Sequence, residues 1–372
     1  MLSFNPVQLS YVIILWFGIV FVNEANAQKL QGWDTNTEKS LIQLHELKQG
    51  GPPKDGIPSI DDPKFVSISD AASWIPAQEP VISVEYEGEA RAYPLQVLIW
   101  HEIVNENIGD DPLLVTFCPL CYSALVFERT VDGEVLAFGV SGFLRHSDLV
   151  MFDRKTETLW QQFTGKAIVG DYVGTTLNQI PSQIISFAQF QENYPDGKVL
   201  SRDTGYDRNY GANPYTGYDD ISNTPLLGAG NDDGRLPPME KVIGVKMDEQ
   251  QKAYPYSITR KEHVINDKIG NAPVLIIHTD GATSALDATQ IAESKESGST
   301  GVFKRTLKGQ ELSFAVKDGN IIDEQTASVW TVTGKAVKGE YKGQQLEAVT
   351  FGDYFAFAWL VFWPETEIYS DN

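Results

Sequence analysis

Residues 81–125 align with residues 242–286 without a gap, and this self-similarity constrains the fold more than any other feature of the chain. VISVEYEGEARAYP lies on VIGVKMDEQQKAYP, and HEIVNENIGDDPLL lies on EHVINDKIGNAPVL. The match resumes with 127–140 on 303–316 and with 153–177 on 323–346. Two copies are too few for a solenoid, whose stacked core needs at least three units. The pattern predicts a tandem duplication: a first lobe over 80–204 and a second over 241–372. A Tyr, Gly and Asn-rich connector spans 205–240, and an N-terminal extension covers 28–79.

Each copy carries the same local signals. Tyr93-Pro94 opens a short helix, because proline at a first-turn position gives up an N–H that would have no partner anyway. That helix is expected to run to about Asn105, followed by a turn and the strand LLVTF. YSALVFERTV alternates apolar and polar residues as a half-buried strand does. Asp132-Gly133 is a hairpin signal, and SDLVMFD reads as a further strand. The expected class is α+β, mostly antiparallel sheet with one or two short helices per lobe. Trp160 and Trp330 match between the copies, which points to packing. Asp148, Asp153 and Arg154 read as turn-pinning residues. Asn231-Asp232-Asp233-Gly234 reads as a solvated turn, since it lacks the downstream glutamate of a calcium loop.

With 29 basic against 50 acidic side chains, the formal charge of −21 repels nucleic acid and anionic lipid, so neither is an expected partner. Residues 11–22 form an uncharged apolar run, and Ala25-Asn26-Ala27 places small residues at −3 and −1 of a cleavage site before Gln28. Residues 1–27 therefore read as a secretory signal peptide, with an uncleaved anchor as the alternative. No other segment reads as a membrane span. The expectation is a secreted or periplasmic protein in an oxidising compartment.

The only two cysteines stand in TFCPLCYS, as Cys118 and Cys121. The second copy has Thr279 and Ala282 in their place, so any chemistry belongs to the first. Three readings follow. In the first, the pair is a redox-active dithiol–disulfide centre with His101 as nearby base, exchanging electrons with another envelope redox protein. In the second, Cys118 and Cys121 hold copper or zinc together with donors from His101, His146 and Met151. Parity sets a limit there, because His146 and Met151 would face opposite sides of one regular strand. In the third, the pair is inert and the protein is structural or ligand-binding, with the tyrosine-rich connector as its contact surface. No Gly-rich phosphate loop, HExxH pair or Gly-x-Ser-x-Gly elbow is present.

The segments DGIPSIDDPKF (55–65), ARAYPLQVLIWHEIVN (90–105), VTFCPLCYSALVFERTVDG (115–133), FGVSGFLRHSDLVMFDRKTETLWQQFTGKAIVG (138–170) and GRLPPMEKVIGV (234–245) resemble the family called domain of unknown function 3179. The likeness covers roughly residues 48–370. It implies a secreted or envelope-facing bacterial or archaeal protein without an assigned activity. Some members carry selenocysteine in this region, which implies redox chemistry at the pair. After the second cysteine the family usually has glycine, where this chain has Tyr122.

Overall fold

A computed structural model describes residues 30–228 and 233–371. The expected signal segment, and Asn231 and Asp232 of the acidic turn, lie outside the described residues. The described chain is mostly β, in several small sheets with a few short helices. Its ladders are antiparallel except for one short parallel pair in each half, 198–200 on 89–94 and 367–368 on 250–255.

In the first half, β1 (Pro80–Tyr86) and β2 (Glu89–Pro94) form a hairpin leading into α1 (Leu95–His101). β3 (Ile103–Ile108), β4 (Asp111–Cys118) and β5 (Ser123–Glu128) follow as a meander. β6 (Phe138–Arg145) and β7 (Asp148–Asp153) make a long hairpin, and β8 (Gln183–Ser186) returns to pair with β1. The second half runs in the same order. β9 (Lys241–Met247) and β10 (Gln250–Pro255) lead into α2 (Tyr256–Glu262). β11 (Val264–Ile269), β12 (Ala272–Thr279) and β13 (Ser299–Lys304) make the meander. β14 (Phe314–Lys317) and β15 (Asn320–Asp323) form the hairpin, and β16 (Phe351–Phe355) pairs with β9 ahead of α3 (Ala356–Phe362).

Local chemistry explains where the expectations shift. The helix after Pro94 stops at His101 rather than near Asn105. Glu102 takes the left-handed conformation (φ 59°), its N–H closes on the Leu98 carbonyl at 2.7 Å, and the chain turns at once into β3. β5 is buried on both faces, where alternation predicted one face in water. The reason is that the halves do not keep separate cores. The main apolar cluster joins Ile82, Leu98, Phe117 and Trp160 to Tyr354, Phe357 and Trp359 of the second half. Another joins Val81, Ile185 and Phe187 to Leu275, Ile277 and Phe303. Asp132 (φ 51°) and Gly133 (φ 79°) do form the expected tight turn.

One buried acid gives the fold a pH dependence. Burial pushes the Glu79 carboxyl up to about 7, against the opposing pull of Gln96 and Arg202. In the unfolded chain it reverts to about 4.5. The folded state therefore binds the extra proton between those values. This contribution to stability is complete below pH 4.5 and is lost as pH rises through 7. At about 1.4 kcal/mol per pH unit, the shift from 4.5 to about 7 amounts to roughly 3–4 kcal/mol. The urea midpoint is expected to be higher at pH 5 than at pH 8, and Glu79→Gln to reduce that difference, to which the other buried acids also contribute. An unchanged slope in the variant would refute this assignment.

Candidate functional site

Cys118 is the last residue of β4 and pairs across the ladder with Ser123, the first residue of β5. Between them Pro119-Leu120-Cys121-Tyr122 makes a tight loop, closed by the Tyr122 N–H on the Pro119 carbonyl at 3.2 Å. The loop is braced from three directions. Gln162 accepts from the Ser123 hydroxyl at 2.7 Å and donates to Thr116 at 2.8 Å. The Tyr218 hydroxyl, from the connector, donates to the Leu120 carbonyl at 3.2 Å. The Phe355 N–H, from the second half, donates to the Cys121 carbonyl at 3.0 Å.

Both cysteines are free thiols, and both are buried, Cys118 to 1% exposure and Cys121 to 0%. The expected exchange with an envelope redox protein needs the sulfurs open to outside molecules; here the connector and the second half close over them. They are not sealed in hydrocarbon, however. One carboxylate oxygen of Asp148 and both sulfurs lie within 4.8 Å of one another. Asp148 is wholly buried. Its Oδ2 accepts from the Gln161 amide at 2.6 Å and from the Phe163 N–H at 3.0 Å, while Oδ1 has no hydrogen-bond partner. A buried carboxylate oxygen with no full hydrogen bond is costly, and here only the weak donors of the two thiols stand near the carboxylate.

The electrostatics follow from burial. Desolvation pushes the Asp148 carboxyl up to about 7, opposed by Gln161, the Phe163 N–H and the two thiols. It also pushes up the Cys118 thiol, with Asp148 and Glu102 adding to the rise, and raises Cys121 well above its ordinary value. Glu102, buried and raised to about 8 by desolvation and by Asp148, sits one ladder position away, its carbonyl accepting the Phe117 N–H at 2.8 Å. Burial thus favours the protonated form of every group in this cluster.

Asp148 reaches the sulfurs because the β6–β7 hairpin is long. The second-half counterpart turns early, at Asp318-Gly319, with strands of four residues each. In the first half the turn is His146-Ser147, both left-handed (φ 54° and 61°), as a two-residue hairpin loop of this hand requires. Neither residue favours that region, so the turn is held by its surroundings, among them a bond from the Ser147 hydroxyl to the Leu226 carbonyl of the connector. The hairpin bends at a register shift around Gly142 (φ 80°), where a Cβ would sit 2.2 Å from the Pro52 carbonyl oxygen.

A family model described as "Protein of unknown function (DUF3179)" matches residues 54–366. The chain belongs to the DUF3179 family. No curated protein and no solved structure matches it.

In this DUF3179 protein the sequence-derived donors separate. His101 is buried with both nitrogens engaged, Nδ1 with the Pro58 carbonyl at 2.7 Å and Nε2 with the Tyr210 hydroxyl at 2.6 Å, so neither the base nor the ligand role fits it. His146 lies in the hairpin turn, its ring edge-on to Phe362, and not in a strand. Met151 is core, paired with Trp160 and Val140 across the sheet. Among the described residues, the group that can hold an ion is Cys118, Cys121 and Asp148. Asp153 and Arg154 do pin a turn and a loop: Asp153 accepts from the Thr156 N–H and from Trp160 Nε1, and Arg154 grips Asp55. Asp148 was grouped with them and differs. The signal available was that its hairpin segment has no clean counterpart in the second copy. The connector tyrosines also differ from expectation, since Tyr210, Tyr215 and Tyr218 pack inward against the main core instead of forming an outer contact surface.

Proposed function

We propose that this is an exported metal-binding protein whose Cys118, Cys121 and Asp148 hold a thiolate-preferring divalent ion, zinc being the best fit. The observation that carries the reading is the buried cluster in which two thiols and one Asp148 carboxylate oxygen lie within 4.8 Å of one another, on a carboxylate whose Oδ1 has no hydrogen-bond partner. A tetrahedral ion with metal–sulfur bonds of about 2.3 Å and metal–oxygen bonds near 2 Å draws its donors into just such a cluster. It would also compensate the acids that burial otherwise keeps protonated. With a carboxylate present and the histidines and methionine elsewhere, the donor set fits zinc better than copper. The two halves are read as duplicated lobes of which only the first keeps the centre; the recurring order of strands and helices supports this.

A second reading is favoured by one feature. Asp148, held near 7 beside both thiols, is placed to take a proton as the pair is oxidised. The dithiol would then pass two electrons and two protons, one of them relayed by Asp148, to the disulfide of an envelope partner, forming a Cys118–Cys121 bond as that partner becomes a dithiol. Burial and the raised thiols weigh against it, since exchange needs an accessible thiolate.

Elemental analysis with thiol titration separates the readings. The metal reading expects about one equivalent of ion, and thiols that alkylate only after chelation. Cobalt(II) added to the chelated protein should give a sulfur-to-cobalt charge-transfer band. No ion, no band and a reversibly titrating pair would establish the redox reading instead. Thiols that neither bind nor cycle would sink both.

A further inference from the structure

The first copy's sulfur site has a polar counterpart in the second half that the sequence comparison did not anticipate. Along the gapless match, Leu95, Leu98, Ile99 and Phe117 stand opposite Tyr256, Thr259, Arg260 and His278. By strand register Ile184 corresponds to Asp353, each paired with the matching isoleucine of its neighbour. Apolar core positions in one half are thus polar in the other. Tyr256 donates to Asp353 at 2.8 Å, and Thr300 donates to the same carboxylate at 2.8 and 2.9 Å. Thr259 bonds His278 Nδ1 at 2.8 Å. A buried polar network of this size stabilises poorly compared with the hydrocarbon it replaces, so it calls for another reason.

The network backs a recess of about 350 Å³ that opens beside the connector, with Lys241 at its inner end and Arg260 at its rim. Lys241 is buried to 9% exposure. Its Nζ donates to Ser297 Oγ at 2.9 Å and lies over the Tyr122 ring at 3.7 Å. Its carboxylate, Asp219, is 3.5 Å away and already accepts from Ser284 at 2.5 Å and Lys295 at 2.9 Å. The acids nearer the mouth are engaged as well, Asp220 by Ser222 and Glu240 by the Ser257 N–H. Arg260 is different. Its Nη2 donates to the Glu296 and Ser297 carbonyls, its other donors have no protein partner, and no carboxylate pairs with it among the described residues.

We infer that this recess binds a small anion, a carboxylate or a phosphate, between the Lys241 ammonium and the free edge of the Arg260 guanidinium. Each carboxylate around it already has a donor, while part of the Arg260 guanidinium has no protein partner among the described residues and stands beside the Lys241 ammonium, which is what an incoming anion needs. The volume is at the small end of ligand pockets and suits a ligand of few atoms.

The test is isothermal titration of the full chain at low ionic strength, with succinate in one arm and inorganic phosphate in the other. At least one should bind saturably at one equivalent, and Arg260→Gln should weaken it tenfold or more. Lys241→Met should abolish it, but the rim variant decides, because Arg260 is exposed and its loss leaves the core intact. Saturation by succinate alone assigns a carboxylate ligand, and by phosphate alone a phosphate. Absence of saturable binding in both arms, or equal affinity in wild type and Arg260→Gln, would overturn the inference. Binding retained in Cys118→Ser is expected, since this site does not depend on the sulfurs.

Discussion

Replacing both Cys118 and Cys121 with serine is expected to lower zinc affinity by at least about 1,000-fold, because two thiolates supply most of the bonding to a soft-leaning ion. Asp148→Asn should lose less, roughly 10- to 100-fold, since the amide keeps one oxygen donor but no charge. Competition with a chromophoric chelator measures both. The order matters as much as the size. If Asp148→Asn binds as tightly as wild type, the carboxylate is not a ligand and the orphaned oxygen needs another explanation. Cys118 and Cys121 lie in the main apolar cluster, so serine there also buries new hydroxyls. Circular dichroism and a urea melt of the metal-free proteins separate lost affinity from lost fold.

The second large effect is on stability. Trp359→Ala is expected to destabilise the chain by about 3–5 kcal/mol, the usual result of deleting a large buried aromatic side chain. Trp359 is 2% exposed and ties the halves together. It rests on Gly244 so closely that a Cβ there would meet its ring at 2.3 Å. Its ring packs at a tilt against Tyr354 and Phe163 with centroids 5.2 and 6.3 Å apart, and its Nε1 donates to Thr366 at 2.9 Å. Because the core is shared, both halves should melt together in a single transition shifted to lower urea. Loss of the second half alone, with the first half still folded, would show that the cluster is not one cooperative unit.

Much of the architecture is legible in residue order. Strand alternation, the Asp132-Gly133 turn and Pro94 before the first helix each announce a local element, and local elements follow local rules. What could not be read is what depends on distant segments. β5 alternates in sequence yet is buried on both faces, because residues of the second half cover the side that alternation assigns to water. His101 resembled a ligand by type and proximity in sequence, but Pro58 and Tyr210, from segments far away in the chain, take both its nitrogens. Asp148 looked like a turn residue because nothing in SDLVMFD says that the preceding turn is His146-Ser147 and that the hairpin folds back over the sulfurs. The second half's polar network was hidden for the same reason: Asp353 is brought to Tyr256 and Thr300 by sheet register alone.

The three braces on the sulfur loop come from very different points along the polypeptide. Gln162 follows it closely, Tyr218 comes later, and Phe355 later still. A chain made from its N-terminus cannot complete this clamp until Phe355 has been synthesised. If the proposed ion is bound there, its loading waits on the folding of the second half around Phe355, and a product cut short before Phe355 would leave the thiol loop without this brace.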